Sequence, residues 1–172
     1  MGAGVSKFRE PILVLATGGT IDKQYFDALS RYQITETMVN RLLEVARVTH
    51  PHRVIQLLRK DSIDLTDEDR AEIVTQVRAS DASRIVITHG TDTMTRTAEA
   101  LSQLGGKTIV LTGALAPARF SESDAAFNLG MAFAAAQTAE AGVYITINGS
   151  VFPAGAVVKD REQGCFVPRA AI

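Results

Sequence analysis

The chain has 172 residues, of which 46% are apolar and 22% charged, and its 18 Lys and Arg residues nearly balance 19 Asp and Glu residues. This composition predicts one globular domain with a full apolar core and excludes an intrinsically disordered chain. The balanced charge, without a basic cluster, argues against nucleic-acid binding. The apolar run from Ile12 to Ala16 is too short to cross a membrane or to form a signal-peptide core. With Cys165 as its single cysteine, the chain cannot form an internal disulfide, and we expect a cytoplasmic protein.

Short β-branched runs alternate with longer segments of helical period along the whole chain. This alternation predicts a single α/β domain with three layers, in which helices cover both faces of a mostly parallel, Rossmann- or flavodoxin-like sheet. We predict five nearly continuous apolar strands at Ile12–Thr17, Arg53–Arg59, Arg84–Thr88, Lys107–Thr112 and Val143–Ile147. A further short strand is expected around Ala156–Val158.

Four helices are expected between these strands, each with a recognisable start or stop signal. The predicted boundaries are a start at Thr35 or Glu36 for the first, a capping box at Thr66–Asp69 for the second, Asp92 to Gly105-Gly106 for the third, and Glu122 to about Ala139 for the fourth, with Gly142 as its stop.

Polar residues and glycines follow the predicted strands at their carboxyl ends. In an open parallel sheet, ligands bind at this edge, so the loops that follow the strands are the expected place for a site. The four loops are Thr17–Asp22, Asp61–Asp64, His89–Thr93 and Gly113-Ala114.

The first of these loops places Thr20 directly after Gly18-Gly19. The glycine pair permits a tight turn and close approach of a ligand to backbone N–H groups, and the hydroxyl of Thr20 could act as a nucleophile or as a phosphate donor. The same residues also suit a plain turn in which Thr20 caps a helix. This loop alone leaves both interpretations open.

Thr91 and Asp92 follow a glycine at the end of another predicted core strand. In a flavodoxin-like strand order the first and third strands are neighbours, which would bring this pair next to Thr20. Asp92 is also a suitable first-turn acid or cap for the following helix, and one residue can serve both purposes.

A hydroxyl nucleophile needs a base, and a lysine that loses its charge through burial can supply one. Lys159 follows the apolar run Ala156-Val157-Val158 and is the candidate, although a lysine on a solvated edge strand would fit the same pattern. The three histidines, His50, His52 and His89, lack the spacing of metal ligands, and no phosphate-binding loop follows a strand. We expect neither a metal nor another cofactor.

Two segments resemble the signature sequences of bacterial-type L-asparaginases. Leu15–Ile21 is similar to the first signature and Ile87–Met94 to the second, in the same order and about one β-α-β-α-β unit apart. Asp61-Ser62-x-Asp64 resembles the substrate-clamp loop of the family, and Val158–Asp160 falls where its catalytic lysine is expected. The chain therefore resembles the amino-terminal domain of that family.

The resemblance implies an amidohydrolase that converts L-asparagine to L-aspartate and ammonia through an acyl-threonine intermediate. Thr20 would be the nucleophile and Tyr25 its partner on a mobile loop, while Thr91, Lys159 and Asp92 would form a second polar triad. The implied substrate-binding residues are Gly19, Asp61, Ser62, Ile63, Gly90, Thr91, Asp92 and Ala114, with Ser62 on the α-carboxylate and Asp92 on the α-ammonium.

The chain also departs from the family's usual pattern. Because family members usually carry a second domain of similar size, we expect residues 1–172 to be a short single-domain variant without the carboxy-terminal asparaginase domain. A carboxylate that this second domain contributes to a neighbouring subunit then has no counterpart. Residues 22–26 are shorter than the usual lid, and Ile63 stands where a polar substrate contact is usual. The resemblance implies a homodimer or a homotetramer.

Two other functions stay open at this point. A flavodoxin-like module could bind phosphate or FMN at residues 17–20, although Asp22 and Asp92 would repel a phosphate and Phe120 is the single candidate to stack on a flavin. An amino-acid sensor would bind asparagine without hydrolysing it.

Overall fold

The structure is a computed structural model that describes residues 10–169. Its ten strands are β1 Ile12–Gly18, β2 Lys23–Phe26, β3 Arg31–Ile34, β4 His52–Lys60, β5 Arg84–Thr88, β6 Thr108–Thr112, β7 Gly142–Ile147, β8 Ser150–Pro153, β9 Val157–Asp160 and β10 Cys165–Pro168. Its four α-helices are α1 Val39–Val45, α2 Asp67–Ala79, α3 Met94–Leu101 and α4 Ala125–Thr138.

Six strands form one sheet in the order β4-β1-β5-β6-β7-β8. The first five are parallel, and β8 pairs with β7 in the antiparallel direction. The predicted neighbours are confirmed, since Ala16 of β1 lies opposite Thr88 of β5. The loops after these two strands therefore start side by side, at the carboxyl edge where open α/β sheets bind ligands.

The central strands β1, β5 and β6 read as continuous apolar runs because both faces of the sheet are covered there. The edge strand β4, predicted as another such run, has no buried residue, because it has a neighbour on one side only. On one face, Leu13 and Leu15 of β1 pack with α2 and α3, through residues such as Ile73 and Met94. On the other face, Ile12 and Val14 pack with residues of α1 and α4. The alternation along β1 is the two-residue period of a strand, with both faces buried. The predicted three-layer α/β class is confirmed.

The helices begin later than the sequence predicts, with one exception. The capping box at α2 is confirmed, because Thr66 Oγ1 accepts from the Asp69 N–H at 3.2 Å and the Asp69 carboxylate accepts from the Thr66 N–H at 2.8 Å. The predictions that α1 begins at Thr35 or Glu36, α3 at Asp92 and α4 at Glu122 are wrong by two to four residues. The polar residues that precede these helices form hydrogen bonds within the loops instead of starting the helix.

Two hairpins lie outside the main sheet. The β2–β3 hairpin follows the Thr20 loop and was not predicted, although Tyr25 and Tyr32 pair across it with ring centroids 5.2 Å apart. The predicted strand at 156–158 exists as β9, but it pairs with β10 rather than with the sheet. Gly142 is not a helix stop, because it starts β7.

Candidate active site

The loops after β1 and β5 are in contact through glycines. Gly18 and Gly19 have φ angles of +106° and +84°, which side-chain-bearing residues rarely adopt. A Cβ on Gly18 would lie 2.6 Å from the carbonyl oxygen of Lys60, and a Cβ on Gly19 would collide with the backbone of Gly90. The glycine pair is therefore what lets the first signature segment lie directly against the second.

Thr20 is the first residue of a short 3-10 helix, Thr20–Asp22, and is partly exposed. Its interpretation as a helix cap is wrong, since Gly19 holds the cap position and no side chain caps this turn. Among residues 10–169, no hydrogen bond involves the Thr20 hydroxyl. Thr20 directly follows Gly19, which contacts the β5 loop. Its hydroxyl can therefore react or bind a ligand without breaking a hydrogen bond of the described fold.

Lys159 connects the two residues that follow Gly90. Its Nζ donates at 2.8 Å to Thr91 Oγ1 and at 2.8 Å to Asp92 Oδ1, and the lysine side chain is 18% exposed. The alternative of a lysine on a solvated edge is therefore wrong. Because an ammonium can only donate, Thr91 accepts from it and keeps its own hydroxyl hydrogen for another partner. The hydrogen bond from Lys159 also holds the pKa of the Asp92 carboxyl below its usual value.

Ser62 ties the loop after β4 to the loop after β5. Its buried Oγ accepts from the N–H groups of Asp92 at 3.2 Å and Thr93 at 3.3 Å, while Thr93 Oγ1 donates to the Ser62 carbonyl at 2.7 Å. A Cβ on Gly90 would lie 2.6 Å from Ser62 Oγ, so this glycine is required for the approach. Since Ser62 Oγ accepts twice, its own hydroxyl hydrogen is available to donate to a carboxylate.

His89 supports this loop from inside the protein, a role that the sequence did not predict. The side chain is fully buried, and desolvation lowers its pKa to about 4, so the ring is neutral at physiological pH. Nδ1 donates to the Gly90 carbonyl at 2.7 Å, and Nε2 accepts from Thr97 Oγ1 at 2.8 Å. We assign this tautomer because a carbonyl oxygen can only accept.

The other predicted binding residues lie around this cluster. Asp61 Oδ2 forms an ion pair with Lys23 Nζ at 2.5 Å. Ala114 is buried and packs with Ile21, one residue after Thr20. The Ile63 side chain is 65% exposed, so the structure does not bring it into the polar cluster.

Asp22 joins the two ends of the β2–β3 hairpin. Its carbonyl accepts from the Thr35 N–H, and its Oδ1 accepts from Thr37 Oγ1 at 3.1 Å and from the Met38 N–H at 2.8 Å. Its Oδ2 is buried and has no hydrogen-bond partner among the described residues. Burial therefore raises the pKa of Asp22 to about 6.

Tyr25 lies on this hairpin and is 47% exposed. Its ring packs on Tyr32, which in turn lies 6.2 Å from the Phe120 ring, centroid to centroid. The segment expected to be a mobile loop is thus a strand, with an aromatic row over its outer side. Sequence reasoning missed this hairpin, although its aromatic residues, Tyr25, Phe26 and Tyr32, are of a type enriched in strands.

The described residues also bear on two other kinds of feature, a metal site and a membrane-spanning helix. In the stretch from residue 10 to residue 169, no cluster of three or more His, Cys, Asp or Glu side chains could hold a metal ion. No helix in that stretch has the length and apolar character needed to cross a membrane.

The fold and this polar cluster together define an α/β domain whose hydroxyl, carboxylate and ammonium groups lie at the carboxyl ends of parallel strands, where such domains bind ligands. The family model for the asparaginase N-terminal domain matches residues 11–165, so the chain belongs to the asparaginase family.

The chain is 33% identical over 162 residues to the glutaminase-asparaginase of Acinetobacter glutaminasificans, covering 86% of this chain and 49% of that protein. The thermostable L-asparaginase structure from Thermococcus kodakarensis superposes with a TM-score of 0.80 at 28% identity, over 92% of this chain and 51% of that one. L-asparaginase I from Vibrio cholerae gives a TM-score of 0.80 at 26% identity, over 93% and 51%. The chain thus spans about half the length of the relatives it matches.

Proposed function

We propose that the protein hydrolyses the side-chain amide of L-asparagine to give L-aspartate and ammonia. The observation that carries the proposal is the pair of 2.8 Å bonds from Lys159 to Thr91 and Asp92, beside the glycine contact that brings the Thr20 loop to the same edge. The names of the similar proteins, L-asparaginase and glutaminase-asparaginase, support the same activity.

The first half-reaction uses Thr20 as the nucleophile. Its Oγ forms a bond to the amide carbon, the C–N bond breaks, and the hydroxyl proton leaves with the nitrogen as ammonia. Backbone N–H groups near Gly19 and Thr91 stabilise the oxyanion that develops on the amide oxygen. Tyr25 serves as the partner of Thr20 from the hairpin. Water then attacks the acyl-threonine ester, which releases L-aspartate and restores the Thr20 hydroxyl.

Thr91, Lys159 and Asp92 act together in proton transfer. Lys159 acts through Thr91: in its neutral form it accepts the Thr91 hydroxyl hydrogen, while the Thr91 oxygen takes the proton of Thr20 or of the attacking water. Lys159 then carries the proton as an ammonium, whose charge Asp92 balances at 2.8 Å until the proton passes to the leaving group.

The substrate is held by its head group. Ser62 donates to the α-carboxylate and Asp92 accepts from the α-ammonium, with Asp61 beside them. Gly90 and Ala114 line the side-chain amide, and Ile63, exposed next to Ser62, gives no polar contact to the carboxylate side. This polarity suits a free, zwitterionic amino acid rather than a phosphate group.

Ammonia release from L-asparagine and L-glutamine tests this proposal, with Thr20→Ala as the control. We expect release from L-asparagine by the 172-residue protein and a loss of at least about a hundredfold in the variant. Activity of this chain by itself would also support function without a carboxy-terminal domain. Binding of L-asparagine in a calorimeter without ammonia release would favour a sensor instead, and a yellow flavin absorbance would favour an FMN-binding module.

Assembly as a homodimer or homotetramer is part of the proposal. The outward side of α4 supports it, since Phe127 is 62% exposed beside the exposed small residues Gly130 and Ala134. Light scattering on the purified protein tests it, and the mass of a single chain would contradict it.

We also propose a cytoplasmic location. The single cysteine, Cys165, supports it because the chain can form no internal disulfide. Osmotic-shock fractionation of producing cells tests this, and release of the protein with the periplasmic fraction would contradict it.

A further inference from the structure

Both carboxylates among the proposed substrate-binding residues already have a lysine partner. Asp92 Oδ1 lies 2.8 Å from Lys159 Nζ, and Asp61 Oδ2 lies 2.5 Å from Lys23 Nζ. Ser62 lies between these carboxylates in space, because it follows Asp61 and its Oγ accepts from the Asp92 N–H. We call the space beside Asp61, Ser62 and Asp92 the corner. An amino acid that places its α-ammonium in this corner must therefore enter a space that already holds cations.

The balance of charge in this corner is positive. The cations are Lys23, Lys159 and Arg161, whose Nη2 lies 4.0 Å from Asp92 Oδ1. The carboxylates are Asp61 and Asp92. The charge of Lys23 reaches Asp92 as well, since it contributes to the lowered pKa of that carboxyl. A further ammonium is unfavourable in such a corner unless one cation leaves.

Of the two lysines that contact a carboxylate directly, Lys23 can leave at the lower cost. Lys159 donates to Thr91 as well as to Asp92, so its departure would break two hydrogen bonds of the site. Arg161 is 74% exposed and 4.0 Å from Asp92, so it lies at the outer edge of the corner and does not occupy the space that an ammonium would take. Within residues 10–169, Lys23 has Asp61 as its one ion-pair partner and lies on a hairpin that is not hydrogen-bonded to the main sheet.

We propose that Lys23 is a built-in competitor for the α-ammonium of the substrate, and that its Nζ must withdraw from Asp61 when an amino acid binds beside Ser62 and Asp92. This inference rests on the proposed function, which assigns the α-ammonium to Asp92. The exchange replaces one ammonium by another, so the charge of the corner is unchanged. A ligand with the same carboxylates but no α-ammonium binds without displacing Lys23.

L-Aspartate and succinate are the matched pair of ligands that isolate this effect. They share both carboxylates and differ in the α-ammonium alone. In Lys23→Gln, the competitor is absent, and we expect L-aspartate to bind about fivefold more tightly than to the wild-type chain. Succinate gains nothing from the same change, because Lys23 neither competes with it nor has to move.

The experiment is calorimetric titration of both ligands into the full chain and its Lys23→Gln, Lys23→Arg and Arg41→Gln variants. Arg41 pairs with Glu44 on the surface of α1, so Arg41→Gln removes one positive charge away from the corner. The ratio of the succinate Kd to the L-aspartate Kd should rise about fivefold in Lys23→Gln. It should stay at the wild-type value in Lys23→Arg and Arg41→Gln.

An equal change for both ligands in Lys23→Gln would assign Lys23 a purely structural role and overturn the inference. Weaker L-aspartate binding, or no L-aspartate binding by any of the four proteins, would overturn it too. Because the readout is binding, it is separate from turnover. A wild-type chain that shows the predicted ratios but releases no ammonia would contradict the proposed hydrolysis and support the role of Lys23.

Discussion

The loops after β5 and β1 each carry a threonine to the same edge of the sheet, but they are held in different ways. Residues 89–93 are fixed by buried side chains, with His89 on the Gly90 carbonyl, Ser62 on two N–H groups and Lys159 on Thr91. Residues 18–22 are fixed by close glycine packing and by Asp22, and they lead into a hairpin whose tyrosines are half exposed. The β5 loop is thus held in place by side chains, whereas the β1 loop, which carries the proposed nucleophile Thr20, leads into a separate hairpin.

The largest expected effects on turnover come from substitutions of the two threonines. Their effects on stability should differ between the β1 loop and the β5 loop. Thr20→Ala and Thr91→Val should each lower turnover of L-asparagine by at least about a hundredfold. Thr20→Ala should leave the free energy of unfolding nearly unchanged, because the Thr20 hydroxyl makes no hydrogen bond within the described chain. Thr91→Val should lower it by about 1 kcal/mol, because Lys159 loses an acceptor. Steady-state ammonia assays and urea unfolding measure these effects, and wild-type turnover by either variant would refute its role.

His89 should make the β5 loop sensitive to acid. The pKa of His89 is about 4 in the folded protein and near the ordinary histidine value of 6.5 in the unfolded chain. Only the unfolded state takes up the proton between these values, so His89 contributes stability that is lost as the pH falls from about 6.5 to 4. Between pH 7 and pH 5 the loss is about 2 kcal/mol.

His89→Gln keeps a group that can donate to the Gly90 carbonyl and removes the titration. Urea unfolding at pH 7 and pH 5 should therefore show a smaller loss of stability on acidification in this variant than in the wild type. Equal losses in the two proteins would contradict the neutral, buried state of His89.

Asp22 should have the opposite effect in the β1 loop. Its pKa is raised from 3.8 to about 6 in the folded protein, so the native state takes up the proton first on acidification. The contribution of Asp22 to stability is complete below pH 3.8 and is lost as the pH rises through about 6. Between pH 7 and pH 5 acidification gains about 1 kcal/mol from this residue.

Asp22→Asn imitates the protonated carboxyl and keeps an oxygen acceptor for Thr37 and Met38. It should remove this gain, so that the variant loses more stability than the wild type between pH 7 and pH 5 in the same urea experiment. A smaller loss in the variant would show that the sign is wrong.

The smallest expected effect is that of Tyr25→Phe. The tyrosine is half exposed on the hairpin, so water can replace part of its contribution to proton transfer. We expect turnover to fall about tenfold, well below the effect of Thr20→Ala. A loss as large as that of Thr20→Ala would mean that the hairpin is held in place as firmly as the β5 loop, and the contrast between the two loops would fail.

Much of this arrangement could be predicted from the chain itself. The buried strands read as apolar runs, a flavodoxin-like order places the first and third strands side by side, and Gly18-Gly19 marks the turn before Thr20. These features depend on local residue patterns and on the order of helices and strands along the chain, both of which can be read from the sequence.

The parts that could not be predicted depend on contacts between distant segments. His89 shows no sign in the sequence that it will hold the Gly90 carbonyl, because its second partner, Thr97, lies on the next helix. The ion pair of Lys23 with Asp61 joins the hairpin to the loop after β4, 38 positions along the chain. The late helix starts have the same origin, since Asp92 donates its N–H to Ser62.

The central claim is that the β1 and β5 loops act together on one free amino acid. A crystal structure of Thr20→Ala grown with L-asparagine tests it most directly. We predict the side-chain amide beside position 20, the α-carboxylate on Ser62 and the α-ammonium on Asp92. Asparagine bound with its amide away from position 20, or a protein that binds no asparagine at saturating concentration, would contradict the account.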